Sequence, residues 1–130
     1  MIVIDASALV KILIEKSSSA EAVRERLRGE TLSAPSLVDA EVLSVLRGLT
    51  LGGKLPEQQA RTALSLLARI PIQRAPLPAQ LARVWQLRAN YSAYDAFYVA
   101  LAEFLDCALV TSDARISRGS GTNCPIELFP

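Results

Sequence analysis

Apolar residues fall into two rhythms along the chain. Short β-branched runs occur at Met1–Asp5 (MIVID), Thr31–Ala34, Ile70–Ala75, Ala108–Val110 and Ile126–Phe129. Between them, apolar positions recur every three or four residues, the spacing of an amphipathic helix. This predicts helices over Ala6–Ile14, Ala20–Arg28, Leu37–Thr50, Glu57–Arg69, Ala79–Tyr91 and from Ser92 to about Leu105. In the last of these, Phe97, Leu101, Phe104 and Leu105 follow Tyr94 at helical spacing. Stop and start signals punctuate the pattern. Ser17–Ser19 offer caps, Gly29 closes a helix, Gly52-Gly53 ends another, and Pro56 and Pro78 sit where a helix begins. Pro71 lacks an N–H to donate, which pushes the third strand to a sheet edge.

The resulting order is β-α-α-β-α-α-β-α-α-β-loop-β. Helical crossovers between short apolar strands require parallel strands with helices on both faces. The expected architecture is therefore a three-layer α/β/α domain, residues 1–130, around a parallel sheet of four to five strands. The first strand, apolar throughout, belongs in the centre. With 51% hydrophobic residues the chain can build a core.

Composition narrows the chemistry. Fourteen Lys and Arg against thirteen Asp and Glu leave a net charge of +1, so no global field draws nucleic acid. There is no histidine, which removes Ser-His and Cys-His catalysis. The two cysteines, Cys107 and Cys124, do not make a zinc pattern and read as reduced thiols. The opening MIVIDASALVKILIEK lacks a basic leader, and no stretch has the apolar length of a membrane span. A soluble, cytoplasmic protein is expected.

Four acids stand out. Asp5 ends the first strand, and Asp113 lies just past the fourth, in Val110-Thr111-Ser112-Asp113. In an open parallel sheet both ends lie on the edge where ligands bind. Asp95 falls in the first turn of its helix, three residues after Ser92, a capping-box spacing. Glu41 lies between Leu37 and Val45 on an otherwise apolar stripe, so it should point toward protein. Its neighbour Asp39 has a structural role available with Ser36, again at capping-box spacing. Each acid also has a plain reading as a helix cap or turn residue. Carboxylates brought together repel, and they stay ionised only with a cation between them. An all-oxygen set without histidine suits Mg²⁺ or Mn²⁺, and such an ion can drive in-line attack on a phosphodiester. Ser7 and Thr111 are placed to hold a water or a carboxylate beside it.

The segments VIDASALV, APSLVDAEVLSVL, YDAFYVALAE and LVTSDARIS, in that order and spacing, resemble the PIN-domain family, and within it the VapC toxins of bacterial toxin–antitoxin pairs. The resemblance covers essentially the whole chain. It implies a Mg²⁺- or Mn²⁺-dependent endoribonuclease that cuts structured RNA such as tRNA or rRNA. The family's acidic site maps onto Asp5, Glu41, Asp95 and Asp113, and its small hydroxyl residues onto Ser7 and Thr111. Asp5, Asp95 and Asp113 are then the metal ligands, with Glu41 joining through water or orienting the attacking water. A homodimer and a VapB-type antitoxin are also implied, with DNA met only through the antitoxin.

Arg115 and Arg118 follow Asp113, and Lys11 lies on the first helix; these are the candidate phosphate contacts. Arg24, Arg26 and Arg28, interleaved with Glu21 and Glu25, read as a solvated helix face. Trp85, Tyr91, Tyr94 and Tyr98 sit in helical contexts that favour packing over stacking on bases. Two other classes stay open: an interaction module of the same fold whose acids are only caps, and a phosphatase with an aspartyl nucleophile at Asp5. Against the phosphatase, Ser7 stands where a second acid is usual.

Overall fold

A computed structural model describes residues 1–130. Its elements are β1 (Ile2–Ile4), α1 (Ala6–Ile14), α2 (Ser18–Leu27), β2 (Leu32–Pro35), α3 (Val38–Leu51), α4 (Glu57–Arg69), β3 (Ile72–Ala75), α5 (Leu81–Gln86), α6 (Ala93–Leu105), β4 (Ala108–Thr111), α7 (Ala114–Arg118) and β5 (Ile126–Leu128), with a 3₁₀ turn at Pro78–Gln80. The five strands form one parallel sheet in the order β3-β2-β1-β4-β5. The fold is the α/β/α sandwich expected, with β1 central and fully buried.

Sheet order reverses direction at β1. The chain builds outward through β2 and β3, then returns to lay β4 on the other side of β1. Ile4 pairs with Val110, and the Asp5 amide donates to the Val110 carbonyl at 3.2 Å. The carboxyl ends of β1 and β4 therefore lie side by side at a topological switch point, where a crevice opens in folds of this class.

One core of 32 buried residues runs through the molecule. On one side α1 packs against α2, α3 and α4; α6 lies across β1, β2 and β4 and carries α5 against it. Residues Ala96 to Ala102 are all buried, so the middle of α6 is enclosed on every side. Asp106 closes α6 in the left-handed conformation, φ 52°. Cys107 and Cys124 are free thiols. No helix is long and apolar enough to cross a membrane.

Several local expectations are corrected. The helix foreseen over Ala79–Tyr91 is broken into a 3₁₀ turn and the six-residue α5. Its tail tightens into i→i−3 bonds, with the Leu87 amide reaching Val84 and the Arg88 amide reaching Trp85. Ser36 and Asp39 form no capping box. The helix starts later, with Leu37 as N-cap and no side-chain cap. Asp39 instead takes a forked ion pair from Arg74, at 2.6 and 2.8 Å, across to β3. Phe104 is 73% exposed, off the buried face. Trp85 and Tyr94 are exposed as well, and only Tyr91 and Tyr98 of the four aromatics pack inside. Arg26 does not merely face water: it forks onto Glu127 of β5 at 2.7 and 3.0 Å.

Candidate active site

Asp5, Glu41, Asp95 and Asp113 all line one cleft of about 690 Å³ at the carboxyl edge of the sheet. Each is delivered by a different piece of the fold: the end of β1, the first turn of α3, the first turn of α6 and the turn after β4. The lining also carries apolar side chains, among them Leu37, Val45, Leu77, Tyr94 and Phe97. Glu41 shares the Leu37–Val45 stripe, but that stripe borders the cleft. The core face of α3 is Val38, Val42 and Leu46.

Asp5 is the most constrained of the four, at 3% exposure. Its Oδ1 caps α1 by accepting from the Ala8 amide at 2.9 Å and from the Ser7 hydroxyl at 2.7 Å. Its Oδ2 accepts from the Thr111 hydroxyl at 2.5 Å. Thr111 Oγ1 in turn accepts from the Asp113 amide, and Ser7 Oγ from the Ser112 amide, both at 2.9 Å. Ser7 and Thr111 thus stitch the β1 end to the β4 end, and both serve Asp5. Burial pushes the Asp5 carboxyl up to about 6, against its three hydrogen bonds and with some repulsion from Asp113.

Asp95 and Glu41 are also raised, by burial first. Asp113 repels Asp95, and Asp95 repels Glu41. Glu41 Oε1 accepts from the Tyr98 hydroxyl at 2.6 Å. Asp95 sits behind its own cap, Ser92 Oγ accepting from the Asp95 amide at 3.2 Å. Asp113 runs the other way: Arg115 forks onto it at 2.8 to 3.2 Å and holds its carboxyl below the usual range. Asp113 also caps α7 through the Arg115 amide.

Arg115 is the one basic residue in the cleft lining, and its side chain is 80% exposed. Arg118 is exposed nearby and close enough to lower Asp113 electrostatically. Lys11 is not brought to the cleft; it pairs with Glu15 at 3.2 Å on the far part of α1. Tyr98 is a site residue that the sequence assigned to packing alone. The available signal was its place three residues after Asp95, on the same face of one helix.

The donor set is chemically that of a hard divalent cation: only oxygens, three of four carboxyls raised by burial and mutual repulsion, no thiol or imidazole in the lining. The spacing is looser than a direct three-acid cage, since no group of three or more Asp, Glu or Cys side chains is close enough to share one ion. Mg²⁺ suits such a site, because it keeps several waters and takes one or two carboxylates.

A PIN-domain family model matches residues 2–121. Ribonuclease VapC9 of Mycobacterium tuberculosis is 43% identical over 130 residues, covering 100% of this chain and 99% of its own. Ribonuclease VapC1 of the same organism is 42% identical over 127 residues, covering 97% and 96%. Among solved structures, VapBC2 from Rickettsia felis bound to a promoter DNA fragment superposes with a TM-score of 0.71 at 17% identity, covering 100% of both chains. The Mycobacterium tuberculosis VapC20, a toxin that cleaves the sarcin-ricin loop, gives 0.68 at 13% identity, covering 90% and 93%. The structural likenesses speak to fold, and the near-full-length identities to kinship: this chain belongs to the PIN-domain family, among the VapC ribonucleases.

Proposed function

We propose that this protein is a metal-dependent endoribonuclease, the toxin of a type II toxin–antitoxin pair, which cuts structured RNA such as tRNA or rRNA and so arrests translation and growth. The observation that carries the reading is the meeting of Asp5, Glu41, Asp95 and Asp113 in one cleft, in a chain 43% identical to VapC ribonucleases along its whole length. Residues 1–130 act as one PIN-like domain.

Asp5, Asp95 and Asp113 would hold Mg²⁺ or Mn²⁺, directly through one or two carboxylates and through water for the rest. When bound, such an ion lowers the pKa of water and neutralises charge building on the phosphodiester. The chain supplies position. Ser7, Thr111 and the Ala8 amide fix Asp5 so that it need not reorganise. Glu41 lines the cleft and leaves Oε2 without a protein hydrogen bond, so it is suited to orient the attacking water. Arg115 exchanges Asp113 for a substrate phosphate, with Arg118 beside it. Against a phosphatase, Ser7 stands where a second acid is usual, and its hydroxyl is spent on Asp5.

A VapB-type antitoxin is the partner this reading brings, since relatives of the fold have been captured as VapBC complexes on DNA. DNA then meets this chain only through that partner, and the toxin works as a homodimer.

Purified protein incubated with total RNA should yield discrete cleavage ends by end mapping, lost with EDTA and lost in Asp5→Ala. Parental cleavage by a nuclease-free Asp5→Ala preparation would sink the assignment. A melting temperature indifferent to Mn²⁺ would favour the interaction-module reading, because a ligand that binds only the folded state must raise it.

A further inference from the structure

We propose that Tyr98 is a positioning residue for Glu41, and that the phenol, rather than the helix carrying Glu41, sets where that carboxylate points. This rests on the ribonuclease reading above and on geometry that the four acids alone do not explain. Glu41 stands on the first turn of α3 with a flexible side chain half open to the cleft. Asp5 and Asp113 are each held by two or more donors. Glu41 has one, the Tyr98 hydroxyl at 2.6 Å, and no cation pairs with it. Remove that donor and no other hydrogen bond or ion pair fixes the carboxylate.

Tyr98 is suited to the task. It is 1% exposed and among the largest fully buried side chains, so its ring cannot swing. It sits on α6 one turn after Asp95, which places an acid of the cleft and the holder of a second acid on one rigid helix face. The hydroxyl donates to Glu41, so its hydrogen is committed to that carboxylate. Through this one bond α3 and α6 are tied together at the cleft. A buried tyrosine that needed only to fill space could be phenylalanine.

Tyr98 lines the cleft at only 1% exposure and spends its hydroxyl on Glu41, so its loss should act on turnover and not on substrate affinity. Tyr98→Phe should lower kcat about 10- to 100-fold, the range seen when the group orienting an active-site ligand is lost, with KM for RNA changed less than twofold. The decisive readout is a double-mutant cycle. If Tyr98 works through Glu41, Tyr98→Phe should cost nothing further once Glu41→Gln is in place. Glu41→Asp, which shortens the acid away from the phenol while leaving the core intact, should lose kcat comparably, and so tests the idea even if Tyr98→Phe folds poorly. Melting temperatures of all five proteins are read alongside, with assays run well below the lowest. Additive losses in the cycle, a rise in KM as large as the fall in kcat, or parental kcat in Tyr98→Phe or Glu41→Asp would overturn the inference while wild-type cleavage kept the ribonuclease reading standing. A wild-type protein inert on RNA would overturn both.

Discussion

Removing the charge from Asp5 should make the metal-free protein more stable at neutral pH, although it removes a residue of the site. Asp5 is 3% exposed, and burial raises its carboxyl from 3.8 to about 6. An acid raised in this way binds its proton more tightly folded than unfolded. Its contribution to stability is complete below pH 3.8 and is lost as the pH rises through about 6. At about 1.4 kcal/mol for each pH unit between those values, ionised Asp5 costs the metal-free fold roughly 2–3 kcal/mol at pH 7.5. Asparagine keeps the hydrogen bonds. Its oxygen can accept from the Ala8 amide and Ser7, and its amide can donate to Thr111, whose hydroxyl then turns to Ser7 Oγ, 3.3 Å away. With about 1 kcal/mol set against that reversal, Asp5→Asn should gain on the order of 1–2 kcal/mol at pH 7.5, or roughly 5 °C in Tm.

The assay is thermal unfolding of both proteins in EDTA from pH 4.5 to 8. Glu41 and Asp95, raised like Asp5, push stability down with rising pH; Asp113, lowered by Arg115, pushes it up. These groups are common to both proteins, so the difference between the two curves reports Asp5. It should favour the variant increasingly from pH 4.5 to a little above 6 and then level off. Adding Mn²⁺ at pH 7.5 should raise the wild type more than the variant and narrow or reverse the gap. A difference that stays constant with pH would mean that Asp5 is not buried against its charge, and the account of a carboxylate that destabilises the metal-free site would be wrong.

Three further outcomes follow from other contacts. Arg115→Gln frees Asp113 from its fork, so Mn²⁺ should bind more tightly by calorimetry while KM for RNA rises; unchanged values of both would remove Arg115 from the site. Gly119→Ala puts a Cβ 2.2 Å from the Tyr91 ring, which should cost ~1–3 kcal/mol in urea unfolding and, because Gly119 closes α7 behind Asp113, lower activity more than stability alone explains. Arg26→Ala breaks the fork to Glu127, a partly exposed pair for which a loss of about 1 kcal/mol is expected, with faster amide exchange in β5 and parental cleavage.

Strands, helices and the meeting of the four acids were legible because each is written locally. Strand ends, first turns and alternating apolar spacing are properties of neighbours, and the parallel sheet then brings Asp5 and Asp113 together whatever the rest of the chain does. What stayed hidden is written across distance. Asp39 finds Arg74, Arg26 finds Glu127 and Tyr98 finds Glu41, partners 35, 101 and 57 residues apart. No spacing rule reaches that far. In each case the local reading was sound in kind but gave the side chain to the nearest use: a cap, a solvated face, a filler of the core. Arg115 shows the converse case. Two residues from Asp113 and exposed, it was read outward toward substrate, whereas in the free protein it is turned back onto the acid. A cationic side chain beside a cluster of raised carboxyls goes to them first, because the nearest strong field is theirs. Its reach toward a phosphate must therefore compete with Asp113, and the site's appetite for a cation is what would release it.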